Sequence, residues 1–137
     1  MKIAATPVID GAAEGRVLKL SAPISFWGGV DPSSARIVLP GHPDEGASIA
    51  GKVLAVARTI GSSSSSAIML ELLRIGRAPA ALILARVDAI LALGVVVGIE
   101  MGYPGIPVLR CPLDGFETGM NARLHHGGAV ELDGAGG

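Results

Sequence analysis

Short, mostly apolar runs dominate the middle of this chain, and they constrain its fold more than any other feature. "GKVLAVA" at 51–57, "AALILA" at 80–85 and "IPVLR" at 106–110 are short and contain few polar residues. Runs of this kind are typical of strands that are apolar on both faces, as in the covered centre of a parallel sheet. We therefore predict that 51–57 is a strand buried on both faces.

Helical patterns separate these apolar runs. After five serines at 62–66, apolar residues recur at helical spacing until Gly76 and Pro79, which are typical of a helix C-terminus. A second, shorter helical pattern covers 87–94. Strands that alternate with short helices predict strand–helix–strand units with a parallel central portion.

The remaining elements complete a single-domain prediction. The chain end "ARLHHGGAVELDG" alternates around Gly127 and Gly128, which predicts a terminal hairpin. Further strands are predicted at 15–20, 35–39 and 95–100. At 137 residues the chain fits one domain, 1–137, with a tail at 134–137 that we allow to fray. The predicted class is α/β, β-rich, with a partly parallel central sheet and short helices.

Composition argues against several kinds of partner. A net charge of −1 and only 3% aromatic residues leave no basic stripe or stacking platform for nucleic acid. The longest apolar run, 89–99, has about 11 residues, whereas a membrane-spanning helix needs roughly 20. The N-terminus lacks the apolar core of a signal peptide and Cys111 has no disulfide partner, so we expect a cytoplasmic protein. Because only 17% of residues are charged, against about 25% usually, we also expect a partner to cover part of the surface.

The five serines at 62–66 could form a tether, an anion cradle or part of an active site. A loop that leaves a buried strand and opens a helix presents backbone N–H groups and the positive end of the helix dipole, and serine hydroxyls add donors. The stretch lacks the Gly-Lys-Ser/Thr ending of a nucleotide-binding loop and the second glycine of a Gly-x-Ser-x-Gly nucleophile turn. The simplest alternative is that one serine caps the helix and the others face solvent.

The histidines and the cysteine show no spacing typical of metal ligands, so we predict no metal held by this chain alone. His42, in "PGHPDEG", is predicted to be a surface-loop residue. His125 and His126 are adjacent in a predicted strand and would point to opposite faces. Cys111 is predicted to be a small buried hydrophobe.

A second unusual segment, "APISFWGGVDP" at 22–32, contains the only tryptophan. We expect Phe26 and Trp27 to pack in the core in preference to contacting a ligand. Anchoring at a subunit interface is equally compatible with the charge-poor composition.

Two stretches carry a family resemblance. "GRVLKLSAPISFWGGVDPSSARIV" at 15–38, and 42–84 with its "GKVL" strand, Gly-Ser-Ser turn and "GRAPAALIL" strand entry, resemble the small swivelling-domain subunit of the aconitase X family of hydro-lyases. The resemblance covers roughly 11–110. It implies a swivelling β/β/α domain that closes over the substrate of a heteromeric dehydratase. It also implies an iron–sulfur cluster ligated by the large subunit, since the single Cys111 could not hold one.

The resemblance also implies residue roles. In aconitase-type swivelling domains the first serine of a Gly-Ser-Ser turn is the base that removes the proton next to a carboxylate; by position this is Ser62, with Gly61 at the turn and Ser63 beside it. An arginine follows the two serines in that pattern, but Ser64 stands there in this chain, and Arg58 could supply the charge. The later serines stay open as rival bases or donors to the substrate carboxylate: Ser64, Ser65 and Ser66.

Two substrates follow from the resemblance: cis-3-hydroxy-L-proline, as in bacterial members, and 5-phosphomevalonate, as in archaeal ones. The alanine- and glycine-rich, lysine-poor composition favours a bacterial source and hence the hydroxyproline, which would be dehydrated to pyrroline-2-carboxylate. The alternative from another class is a non-catalytic anion-binding or assembly module.

Overall fold

The computed structural model describes residues 1–134, so the predicted frayed tail lies almost wholly outside the described residues. The strands are β1 (Lys2–Ala4), β2 (Thr6–Ile9), β3 (Ala13–Lys19), β4 (Val53–Val56), β5 (Ala81–Leu84), β6 (Val108–Arg110), β7 (Asn121–Leu124) and β8 (Ala129–Asp133). The helices are a single irregular turn, α1 (Phe26–Gly29), and two longer helices, α2 (Ser65–Ile75) and α3 (Ala89–Glu100).

The strands form one mixed sheet in the order β1-β8-β7-β3-β4-β5-β6-β2. The four neighbours from β3 to β6 are parallel, which confirms the predicted parallel centre, and all other pairs are antiparallel. β1 and β2 lie at opposite ends of this order, yet only Ala5 separates them in the chain. The sheet is therefore nearly closed, and Ala5 donates its N–H to Gly128 O at 2.8 Å.

Two apolar cores lie on the two sides of this sheet. In β4, Val53 and Ala55 belong to the core enclosed by the sheet, whereas Leu54 and Val56 belong to the core under α2 and α3. All four side chains are buried, which confirms the prediction for the centre of 51–57, whereas Gly51 and Ala57 are exposed and lie outside the strand. The alternation follows from the two-residue period of a strand.

Two glycines allow α3 to pack closely against α2. A Cβ atom on Gly94 would lie 2.7 Å from Ser66 O, and one on Gly98 would lie 2.8 Å from a methyl carbon of Leu73. Glycine at these positions therefore lets the helix backbones approach. None of the helices described in residues 1–134 is long and apolar enough to span a membrane.

Two strand predictions were wrong. Residues 95–100 form the second half of α3, because the helix that begins at Ala89 continues and buries Val95 and Gly98. Residues 35–39 form no strand and contribute only isolated bridges, such as Ile37 with Val30. The predicted helix after the serines and the terminal hairpin of β7 and β8 are both confirmed.

The structure also corrects three side-chain predictions. His42 is only 7% exposed; its Nδ1 accepts the N–H of Asp44, so its Nε2 donates to Ala22 O at 3.2 Å. His125 and His126 lie in the turn after β7, not in a strand. Trp27 is 58% exposed, although its neighbour Phe26 is fully buried as predicted.

The prediction for Cys111 is confirmed. The side chain is buried in the core enclosed by the sheet. Burial raises the pKa of the Cys111 thiol, which keeps it protonated and unreactive.

Candidate functional site: the serine loop

The serine loop, residues 61–66, follows the carboxyl end of the parallel strand β4 and opens α2. Neighbouring segments hold its entry on two sides. Ile60 donates its N–H to Ile24 O at 2.9 Å, and the Thr59 hydroxyl donates to Asp88 Oδ2 at 2.6 Å. These contacts argue against the tether alternative, because a flexible tether would not be hydrogen-bonded to the domain at its entry.

Ser62 is half-buried at the start of the loop. Its Oγ accepts the backbone N–H of Ser64 at 3.3 Å, and its carbonyl oxygen accepts the N–H of Ser65 at 3.0 Å. A donor to Oγ and the positive end of α2 both favour negative charge on this oxygen. Both features lower the cost of a negative charge on Ser62 Oγ.

The other serines occupy different environments. Ser63 is exposed, and its carbonyl oxygen accepts the hydroxyl of Ser66 at 3.1 Å. Ser64 is the residue immediately before α2, but its side chain makes no capping hydrogen bond. Ser65 is only 1% exposed, and its Oγ accepts the backbone N–H of Trp27 at 3.3 Å. In this conformation a substrate could reach Ser63 and Ser64 but not the Ser65 hydroxyl, whose contact ties the loop to the Trp27 segment.

Gly61 and Arg58 are both exposed, and a Cβ on Gly61 would have no neighbour within 4 Å. Arg58 follows the end of β4 by two residues, and the described chain offers it no ion pair. Its guanidinium is thus available to a ligand. The predicted role of Arg58 beside Ser62 stays a prediction.

Sequence reasoning missed Arg86. Val56 and Leu84, the last residues of β4 and β5, are register partners, and each is followed two residues later by an arginine, Arg58 and Arg86. Arg86 donates its backbone N–H to Ala57 O at 2.9 Å, so the two arginines leave the same edge of the sheet side by side. Each arginine stands two residues after the end of an apolar strand run, and this shared spacing is the signal in the sequence that could have identified Arg86.

An apolar groove lies close to the serine loop, because Trp27 in its lining is hydrogen-bonded to Ser65. We call it the Trp27 groove; it encloses about 510 Å³ and lies next to α1 and the first turn of α2. It is lined by Trp27, Gly28, Val30, Asp31, Pro32, Val38 and Ile68. The segment before it is tied to the entry of the serine loop by the bridge between Ile24 and Thr59.

The described residues of this chain do not fit an iron–sulfur cluster. Within residues 1–134 no group of three or more His, Cys, Asp or Glu side chains could hold a metal ion. The one thiol, Cys111, lies in the core enclosed by the sheet, away from solvent. A cluster needs several accessible thiolates.

The sheet is mixed, eight-stranded and nearly closed, with two helices on one side. A serine-rich helix start lies at the carboxyl ends of its parallel strands, and this arrangement is that of a swivelling α/β domain. The crystal structure of Thermococcus kodakaraensis aconitase X, in its holo-form, superimposes with a TM-score of 0.88 and 31% identity over 98% of this chain and 99% of that chain. This confirms the predicted fold class. The family model described as the aconitase X swivel domain matches residues 2–137. The chain belongs to this family, as the resemblance had indicated.

Its relatives include two kinds of dehydratase. The cis-3-hydroxy-L-proline dehydratase of Pseudomonas aeruginosa is 42% identical over 101 residues, which are 74% of this chain and 17% of the relative. The phosphomevalonate dehydratase small subunit of Thermococcus gammatolerans is 37% identical over 137 residues, which cover 98% of this chain and 100% of the relative. This chain thus spans about a fifth of the length of the hydroxyproline dehydratases that it matches.

Proposed function

We propose that this chain is the swivel domain of an aconitase X dehydratase and that Ser62 is its catalytic base. The observation that carries the proposal is the placement of Ser62 Oγ at the start of α2, where it accepts the Ser64 N–H at 3.3 Å. A large subunit would complete the enzyme and ligate the iron–sulfur cluster. The names of the small-subunit relatives support such a partner.

The chemistry asks Ser62 to remove a proton next to a carboxylate. An ordinary serine hydroxyl is a very poor base at neutral pH, so the site must stabilise the deprotonated oxygen. The Ser64 N–H and the dipole of α2 act in this direction. Ser63 and Ser64, at the same helix end, would donate to the substrate carboxylate.

For cis-3-hydroxy-L-proline the reaction is the elimination of water across C2 and C3. The C2 proton moves to Ser62 Oγ, the electron pair forms the C2–C3 double bond, and the 3-hydroxyl leaves as water with acid assistance that this chain does not provide. The resulting enamine tautomerises to the cyclic imine pyrroline-2-carboxylate. We favour this substrate on composition, and the 42% identical Pseudomonas aeruginosa relative supports it.

A second substrate, 5-phosphomevalonate, has a specific observation in its favour. Arg58 and Arg86 leave the sheet at register-equivalent positions, and two guanidinium groups could bind a phosphate. The full-length Thermococcus gammatolerans relative supports this alternative. The two substrates differ in charge, so a direct assay separates them.

The test is to produce the chain with its partner subunit and assay both substrates. We expect Ser62→Ala to lower turnover by about 10²–10⁴-fold, the usual contribution of a general base, while the circular dichroism spectrum and melting temperature stay unchanged. Ser63→Ala is the matched comparison: it removes one donor to the substrate carboxylate, so it should raise KM while kcat stays close to that of the parent enzyme.

Full activity of Ser62→Ala would refute the base assignment. If the assembled complex dehydrates neither substrate, the chain is better described as a non-catalytic anion-binding or assembly module.

A further inference from the structure

The only tryptophan of the chain points out of the domain. Trp27 is 58% exposed although Phe26, next to it, is fully buried. The backbone changes direction here, because Trp27 has an extended ψ of 115° and Gly28 a φ of 81°. Only glycine adopts that φ without strain, so this turn directs the indole outward.

The segment that presents Trp27 is firmly held. The backbone N–H of Trp27 donates to the buried Ser65 Oγ, and Val38 donates its N–H to Gly29 O at 2.9 Å. A larger residue at Gly29 would collide with Ile24, because its Cβ atom would lie 2.8 Å from a side-chain carbon of that isoleucine. A large indole exposed on a fixed backbone is typical of a contact surface, because it loses little entropy on binding.

Asp31 supplies the only formal charge in the lining of the groove. Its Oδ1 accepts the N–H and hydroxyl of Ser33 at 3.0 and 2.9 Å, and its Oδ2 accepts the Ser34 hydroxyl at 2.9 Å. These donors, the Ser33 N–H foremost, hold the pKa of the Asp31 carboxyl below its usual range. The groove therefore keeps a negative charge at neutral pH.

An indole face, a carboxylate and aliphatic walls define one class of ligand. Aromatic faces and carboxylates both attract cations and disfavour anions, and the walls formed by Val30, Val38 and Ile68 favour a hydrocarbon body. We propose that the Trp27 groove binds a small aliphatic ammonium compound, with the indole against the cation and Asp31 as its counter-ion.

The position of the groove links this site to the serine loop. Trp27 is hydrogen-bonded to Ser65 of the loop, and Ile68 of α2 lines the groove. This further step rests on the proposed function: the ammonium would be that of a cyclic amino acid whose carboxylate faces the serine loop. The groove thus favours the hydroxyproline over a phosphate-bearing substrate.

Trp27 is its own reporter, because the chain has a single tryptophan. The full 137-residue chain is titrated with pyrrolidinium, and cyclopentanol serves as a neutral probe of nearly the same size. We expect a saturable change in Trp27 fluorescence with pyrrolidinium, with a Kd of about 1–100 mM for so small a ligand, and a response to cyclopentanol at least about fivefold weaker.

Two variants locate the site. Asp31→Asn should weaken pyrrolidinium binding by about fivefold, and Trp27→Leu, followed by ligand-observed NMR, by a similar factor. Glu117→Gln, which removes an exposed charge outside the groove lining, should bind pyrrolidinium as the parent chain does. Circular dichroism checks that each variant is folded.

Equal binding of cyclopentanol and pyrrolidinium, or no saturable binding of either, would overturn the ammonium site. The proposed function would still stand if Ser62→Ala abolished turnover. Conversely, the assembled enzyme could keep its turnover in Ser62→Ala while pyrrolidinium binding still depended on Asp31. That result would support the ammonium site and refute Ser62 as the catalytic base.

Discussion

The two long helices begin in opposite ways, although each follows a parallel strand of the same sheet. At α3, Asp88 caps the helix: its Oδ1 accepts the N–H groups of Ile90 and Leu91 at 3.0 and 3.1 Å, and its Oδ2 accepts the Thr59 hydroxyl. At α2, Ser64 occupies the equivalent position and its side chain caps nothing. One helix start already holds an anion of the protein, and the other does not.

This difference shows how a fold can keep one helix N-terminus for structure and leave another for a ligand. A capped terminus has little capacity for an external anion, because the Asp88 carboxylate already occupies its donors. The start of α2 is instead held from outside, by the bond between Ser65 and Trp27 and by the close packing of Gly94 on Ser66. Tertiary contacts hold the helix start without a capping bond from Ser64, so the Ser63 and Ser64 side chains stay available.

The most direct test of this difference between the two helix starts is to place a fixed negative charge at the start of α2. Ser63→Asp would put a carboxylate beside Ser62, where it should repel the substrate carboxylate. At about 5 Å and an effective dielectric constant of about 20 the repulsion is about 3 kcal/mol, or roughly a 100-fold loss in kcat/KM of the assembled enzyme.

The control is Ser63→Asn, which has nearly the same shape without the charge and should lose much less activity. Equal losses in the two variants would mean that the position is sterically rather than electrostatically sensitive. Melting temperatures should be nearly unchanged in both, because Ser63 is exposed.

Gly94→Ala tests whether packing holds the start of α2. The new Cβ would lie 2.7 Å from Ser66 O, so the helices must separate or shift. We expect a loss of about 2 kcal/mol in the free energy of unfolding, measured by urea denaturation, despite the better helix propensity of alanine. Gly61→Ala, which has open space around it, should change stability by less than about 0.5 kcal/mol. A neutral Gly94→Ala would show that the packing is looser than the distances imply.

Removing the side chains at the two cap positions, Asp88 and Ser64, should give the smallest change in the free energy of unfolding. Asp88→Ala removes two helix-capping hydrogen bonds and the partner of Thr59, and should destabilise the domain by about 1–1.5 kcal/mol. Ser64→Ala should cost less than about 0.5 kcal/mol, because that side chain makes no capping bond. Similar losses in the two unfolding curves would contradict the contrast between the helix starts.

Local patterns were sufficient for much of the fold. The buried strand within 51–57, the helix after the serines and the terminal hairpin all follow from periodicity and turn residues, which are local features of the sequence. The strand predicted at 95–100 failed because β-branched valines favour strands in isolation, whereas here they continue the helix that Asp88 caps and that begins at Ala89. The strands β1 and β2 were missed, since each is short and is defined by pairing with distant partners.

The candidate site was only partly predictable. The position of the serine loop at a helix start could be inferred from the sequence, but five identical residues carry no information on which hydroxyl is buried. The contact of Ser65 with Trp27 joins residues 38 positions apart and separates Ser65 from Ser62 and Ser63 in environment. The pairing of Arg58 with Arg86 at one sheet edge likewise depends on the register of β4 and β5.

The sequence by itself determined the class of the domain, its parallel centre and the family, because apolar periodicity and motif residues are local properties of the chain. Only the tertiary structure decided that Trp27 faces outward, that His42 is buried and that the Ser64 side chain makes no capping bond to α2. Those outcomes depend on which distant segments are in contact. Tertiary contacts, rather than the identity of a residue, decide whether its side chain is buried and which hydrogen bonds it makes.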